Sequence, residues 1–285
     1  MRCTRSELES KGHTGSQMKS KKKRSQKSRR NRKKAGKQGL SNLLSQISQE
    51  QGQQLAATMT GEFFQPIRVH YDVLDTEQLQ TRLSKLHCME YVDHQDRWVW
   101  LYTKEAKRLK FKQNPRTDAP VVLGEFLLKG EDKGVLNLRS FERATEAIVF
   151  FDKHIRRSIL QATAVTVVNR LFRAEEVTSI PSLDQLFEKA EVEEQDPEGF
   201  LRTVVGSVSG INKVINRFEL LDKHFGDATQ KPMPEMERFP IHYYEDGIGP
   251  LTTSLTIRQI IAMEHWKGNT DYTWADYIRD SGLIP

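Results

Sequence analysis

The chain has little cysteine: Cys3 and Cys88 are the only two thiols in 285 residues. That excludes a disulfide scaffold and points to a reducing compartment. No run of about 18 apolar residues occurs, so there is no helical membrane span to read. No apolar stretch follows the N-terminal charges, so a secretory signal is not expected. Glu7 and Glu9 speak against an organellar transit peptide. C-x-x-C, a glycine-rich phosphate loop, G-x-S-x-G and H-E-x-x-H are all missing, and no cofactor is expected. Repeats of solenoid type are absent as well.

What the chain does have is segregated charge. Residues 18–37 hold 12 Lys and Arg and no acid. Residues 38–285 hold 29 basic and 36 acidic side chains, a net −7, so the overall +6 and the basic isoelectric point come from one short stretch. The stretch contains no aromatic residue. Residues 1–38 are expected to form a disordered basic arm, because so few apolar groups cannot offset the entropy of ordering. Met18 opens a second natural-looking start, and residues 1–17 are read as the product of an upstream start choice. The arm's candidate nucleic-acid-binding residues are Lys21, Lys22, Lys23, Arg24, Lys27, Arg29, Arg30, Arg32, Lys33, Lys34 and Lys37. Cations spaced this densely release counterions from phosphates and give affinity without reading sequence.

The rest of the chain reads as α+β. Residues 39–61 hold a short amphipathic helix on Leu40, Leu43, Leu44 and Ile47, then a polar linker. Residues 62–178 are expected to be an α+β core with a small, mostly antiparallel sheet packed by helices. Residues 179–285 are expected to be mainly helical. The organising stretch is 121–154. Val121–Leu128 and Val135–Leu138 flank a polar loop from Gly130 to Gly134, with a glycine at each end for positive φ. Ser140 can cap the helix that follows, and Phe141, Ala144, Ile148, Phe151 and Ile155 recur at helical spacing. Strands are expected at Ile67–Tyr71, Met89–Asp93 and Trp98–Tyr102, and a helix on Leu79, Leu83 and Leu86. Residues 158–172 fit a strand followed by a helix, although the β-branched run at 163–168 leaves the second element ambiguous. Ser182 and Gln185 cap a helix on Leu183, Leu186 and Phe187. Asp196-Pro197-Glu198 starts another that runs towards Phe225. Two final helices cover Leu255–Trp266 and Trp274–Ile278.

A second basic cluster combines Lys104, Lys107, Arg108, Lys110, Lys112 and Arg116 with Trp98, Trp100, Tyr102 and Phe111. Mixed rings and cations suit a single-stranded nucleic acid. The competing reading uses parity: Trp98, Trp100 and Tyr102 share one face of a strand, so that face is core and the lysines are its solvated edge. Lys107, Arg108, Lys110 and Lys112 join the arm as candidate contacts. His87 with Asp93, His94 and Asp96, and His242 with Glu245 and Asp246, lack the spacing of known metal sites, so no metal is assigned. Cys88 next to His87 is a weak nucleophile pair, because sequence neighbours on a regular element point apart.

The expected function is a non-enzymatic nucleic-acid-binding protein, with RNA or the ribosome favoured as partner. The expected location is cytoplasmic, or nuclear or nucleolar in a eukaryote. The alternatives are a metal-dependent enzyme acting on nucleic acid, and a protein-interaction adaptor docking through its C-terminal helices.

Overall fold

The computed structural model describes residues 54–115, 117, 119–195, 226 and 229–282. The chain divides into two units, Met1–Gln54 and Leu55–Pro285. Of the first only Gln54 is described. The basic arm, the helix expected on Leu40–Ile47 and the helix expected from Pro197 therefore lie outside the described residues.

The second unit is α+β. Its strands are β1 (Ile67–Val73), β2 (Met89–Val92), β3 (Arg97–Leu101), β4 (Val122–Leu128), β5 (Lys133–Leu138), β6 (Leu160–Val168), β7 (Glu193–Glu194) and β8 (Met236–Pro240). They form one sheet in the order β2-β3-β4-β5-β1-β6-β8-β7. Every neighbouring pair is antiparallel except β7–β8. The helices among the described residues are α1 (Thr76–Lys85), α2 (Phe141–His154), α3 (Ala174–Thr178), α4 (Leu183–Lys189), α5 (Tyr243–Asp246), α6 (Gly249–Trp266) and α7 (Trp274–Asp280).

Alternation sets the two faces of the sheet. In β1, Ile67, Val69, Tyr71 and Val73 are buried on one side, while Arg68, His70 and Asp72 point to the other. The register carries that division outward: Ile67 stands between Leu138 and Val167, and Val69 between Leu136 and Val165. Helix α2 closes the apolar side. Its cap is Ser140, whose hydroxyl accepts the Arg143 N–H, and Glu142 lies in its positive first turn. Phe141, Ala144, Ile148 and Phe151 are buried as the spacing predicts, and Ala147 and Phe150 widen the stripe. Phe151 meets the rings of Tyr71, Trp100, Phe126 and Phe150 at centroid distances of 5.4–6.4 Å. Helix α6 packs on α2 and adds Leu251 and Leu255 to the same core.

The β4–β5 hairpin needs its glycines for two reasons. Gly130 has φ +77 in the turn. Gly134 was expected to do the same, but it lies within β5. There a Cβ would sit 2.7 Å from Phe126 Cζ, so it provides room for the core ring.

Two regions differ from expectation. Residues 158–172 do not split into strand and helix: Leu160–Val168 is one nine-residue strand, consistent with its β-branched content. The C-terminal part is mainly helical among its described residues, as expected, and adds β8, which pairs with β6. The stretch read as linker is packed from Leu55 onward. Ala56 and Thr60 are buried, and Ala56 exchanges backbone bonds with Phe172 and Phe64. Glu62 and Arg143 hold this stretch against the start of α2. Both are 1 % exposed, with Arg143 Nε 3.7 Å from Glu62 Oε2. The Arg143 guanidinium also donates to Thr60 Oγ1 and to the carbonyls of Val122 and Leu123.

Replacing Phe151 by alanine removes the ring that four other aromatics contact. The expected loss of stability in urea unfolding is roughly 3–5 kcal/mol. A loss below about 1 kcal/mol, the range of ordinary surface changes, would contradict this packing.

Candidate nucleic-acid interface

Strand β3 ends at Leu101 and the chain turns sharply. Thr103 is extended, Lys104 has φ +43, and Lys104–Arg108 forms a 3-10 turn. A lysine in the left-handed region costs on the order of 1–2 kcal/mol, so the surrounding contacts must hold it. The anchor is Ala106, which is fully buried. With Ala106 inward, Lys104, Lys107 and Arg108 face solvent, as does Lys110 just beyond. None of these four cations forms an ion pair with a described residue.

The acid inside this run is turned away from it. Glu105 Oε1 lies 3.0 Å from His87 Nδ1. Burial works to raise the Glu105 pKa, but its own backbone N–H and the backbone and ring of His87 outweigh burial and hold it down to about 2. Lys112 belongs to a different environment. Its ammonium is 3.0 Å from Glu142 Oε1 and lies 5.0 Å above the Phe63 ring. Arg116 lies outside the described residues.

The aromatic residues beside the turn are committed inward. Trp100 is fully buried against Phe150 and Phe151, and Trp98 is 9 % exposed. The half-buried Tyr102 ring meets Phe111 edge-on at 5.3 Å, and its hydroxyl donates to the Leu109 carbonyl. The tryptophans therefore belong to the core, as their shared parity implies, and no base can stack on them.

The histidine and acid groups noted in the sequence serve local structure. His87 pairs with Glu105. Asp96, at φ +46, ends the turn between β2 and β3 and accepts the Tyr91 hydroxyl at 2.7 Å. The His242 carbonyl accepts the N–H groups of Glu245 and Asp246 in α5. Among the described residues no three His, Cys, Asp or Glu side chains gather closely enough to hold a metal ion. The Cys88 thiol is buried and pushed up to about 11, chiefly by burial and then by the Glu105 charge, so it stays protonated near neutral pH.

The opposite face of the sheet carries a polar network that sequence reasoning missed. Arg68 donates to Asn137 Oδ1 at 2.8 Å and to Asp184 Oδ1 at 2.6 Å, and its guanidinium lies over the Phe187 ring. Lys129 bridges Asp184 and Glu188. Beside them His70 Nε2 is 2.8 Å from Thr166 Oγ1. The signal was the alternation of Arg68, His70 and Asp72 with apolar residues in β1. The long separation to Asp184 hid the partner. The acidic connector is partly spent in ion pairs, Glu188 with Lys129 and Glu194 with Arg238.

The chain matches no family model, no curated protein and no solved structure.

His70 yields a pH prediction. Burial first, then the charges of Arg238 and Arg68, push its pKa down from 6.5 to about 3. The unfolded chain takes up this proton below pH 6.5 and the folded chain refuses it. The stabilisation is complete above pH 6.5 and is lost as pH falls from 6.5 towards 3, by up to about 1.4 kcal/mol per pH unit. Urea unfolding of the wild type and His70→Gln across pH 4–7 should therefore show a shallower decline in the variant. Parallel curves would show that His70 titrates normally.

Proposed function

We propose that this is a non-enzymatic nucleic-acid-binding protein, with RNA or the ribosome as the favoured partner, acting in the cytoplasm or, in a eukaryote, in the nucleus or nucleolus. The observation that carries the reading is the charge split: 12 cations and no acid in residues 18–37, against a net −7 over residues 38–285. An acidic body repels polyanions, so contact is confined to its cationic places. The exposed Lys104, Lys107, Arg108 and Lys110 are one such place, because no described acid neutralises them. They make a second contact in addition to the N-terminal cations. Lys112 contributes less, since Glu142 holds its ammonium.

Affinity on this reading is mostly counterion release, with a log–log salt slope of about −0.7 per phosphate neutralised on single strands. Deleting residues 18–37 should remove most of the affinity and leave the circular dichroism of the body intact. Changing Lys104, Lys107, Arg108 and Lys110 together to alanine should flatten the slope by up to about 3, at about 0.7 for each phosphate no longer neutralised. Equal affinity of the truncated and full chains would show that residues 18–37 are not the binding element.

A further inference from the structure

We infer that the nucleic acid this protein grips is double-stranded, held by its paired phosphate rails and not by its bases. The inference rests on the proposed nucleic-acid function and adds the class of ligand. Proteins that hold single strands combine cations with exposed aromatic rings, and each stacked base contributes about 1–3 kcal/mol. Here the rings next to the free cations are already used. Trp98 and Trp100 lie in the core. Tyr102 and Phe111 pack edge-on against each other, and Lys112 covers the Phe63 ring. Residues 18–37 contain no aromatic residue at all. Among the described residues of this turn, what remains for a ligand is unneutralised positive charge.

Charge alone prefers the denser polyanion. A duplex presents one phosphate about every 1.7 Å of axis, twice the density of one strand. Each phosphate neutralised contributes about 0.9 to the salt slope on a duplex but about 0.7 on a single strand. With about 10 phosphates engaged at 0.1 M salt, that difference of 0.2 per phosphate is roughly a hundredfold in affinity. A stacking platform reverses this preference, because bases in a duplex are not available to it.

The test titrates the full chain with three probes at several salt concentrations. They are an RNA strand without self-complementarity, the same strand in an RNA duplex, and a DNA duplex of the same length. Tryptophan emission is followed in parallel. We expect both duplexes to bind tens of times more tightly than the strand, with steeper slopes, no effect of permuting the sequence, and no tryptophan quenching. A preference for the RNA duplex over the DNA duplex, or the reverse, keeps the inference and identifies the natural source. A strand that binds as tightly as the duplexes, or that alone quenches tryptophan, overturns the inference while leaving nucleic-acid binding intact. No binding to any probe overturns both.

Discussion

The contact between helix α2 and alternate positions of five strands is what the rest of the fold depends on. Phe151 sits at its centre among Tyr71 of β1, Trp100 of β3, Phe126 of β4 and Phe150 of its own helix. Each ring sits on the α2 side because its strand alternates. A one-residue slip in β1, β3 or β4 would put a large ring on the polar face and a charge against the helix. This packing fixes the register, and the register determines where every polar group of the sheet emerges. It also buries the two tryptophans that would otherwise lie beside the cationic turn.

Charge is treated in two opposite ways in the molecule. Inside, it is paired. Arg143 meets Glu62, Arg258 Nε lies 2.7 Å from Glu237 Oε1, and Arg68 reaches Asp184. Buried pairs of this kind add little net stability, but removing one partner is costly, so they fix position more than they contribute energy. Arg143 and Glu62 hold the stretch after Leu55 to the core, and Arg258 and Glu237 join α6 to β8. At the turn after β3 the pattern reverses. Lys104, Lys107, Arg108 and Lys110 are exposed, their neighbour Glu105 is drawn to His87, and no described acid approaches them. A fold that pairs its buried cations and leaves this cluster free has a surface suited to an anion supplied from outside.

Much of the core was legible because its signals are local. Ser140 and the Phe141–Phe151 spacing placed α2, and Ser182 caps its helix through a side chain close in sequence. The shared parity of Trp98 and Trp100 favoured the core over a base-stacking role, and their burial decides it. What was not legible depends on distant partners. The stretch from Leu55 to Glu62 is short, follows a glutamine-rich segment and contains Gly61, and the residue that anchors it, Arg143, is far along the chain at the start of α2. Strand β8 reads as an irregular, proline-ended segment, and only β6 beside it makes it a strand. Of the candidate site, the four free cations were visible as a charge run. Separating them from Lys112 required knowing that Glu142 stands 3.0 Å from it.

Free cations, and not a catalytic centre, are proposed to connect this protein to its partner. Lysine-directed chemical crosslinking in cells, with recovery of the bound nucleic acid and mapping of the modified peptides, tests this. Nucleic acid should be recovered, with modifications concentrated at residues 18–37 and 104–110. Recovery of none, or modifications centred on the polar sheet face around Arg68 and His70, would contradict it.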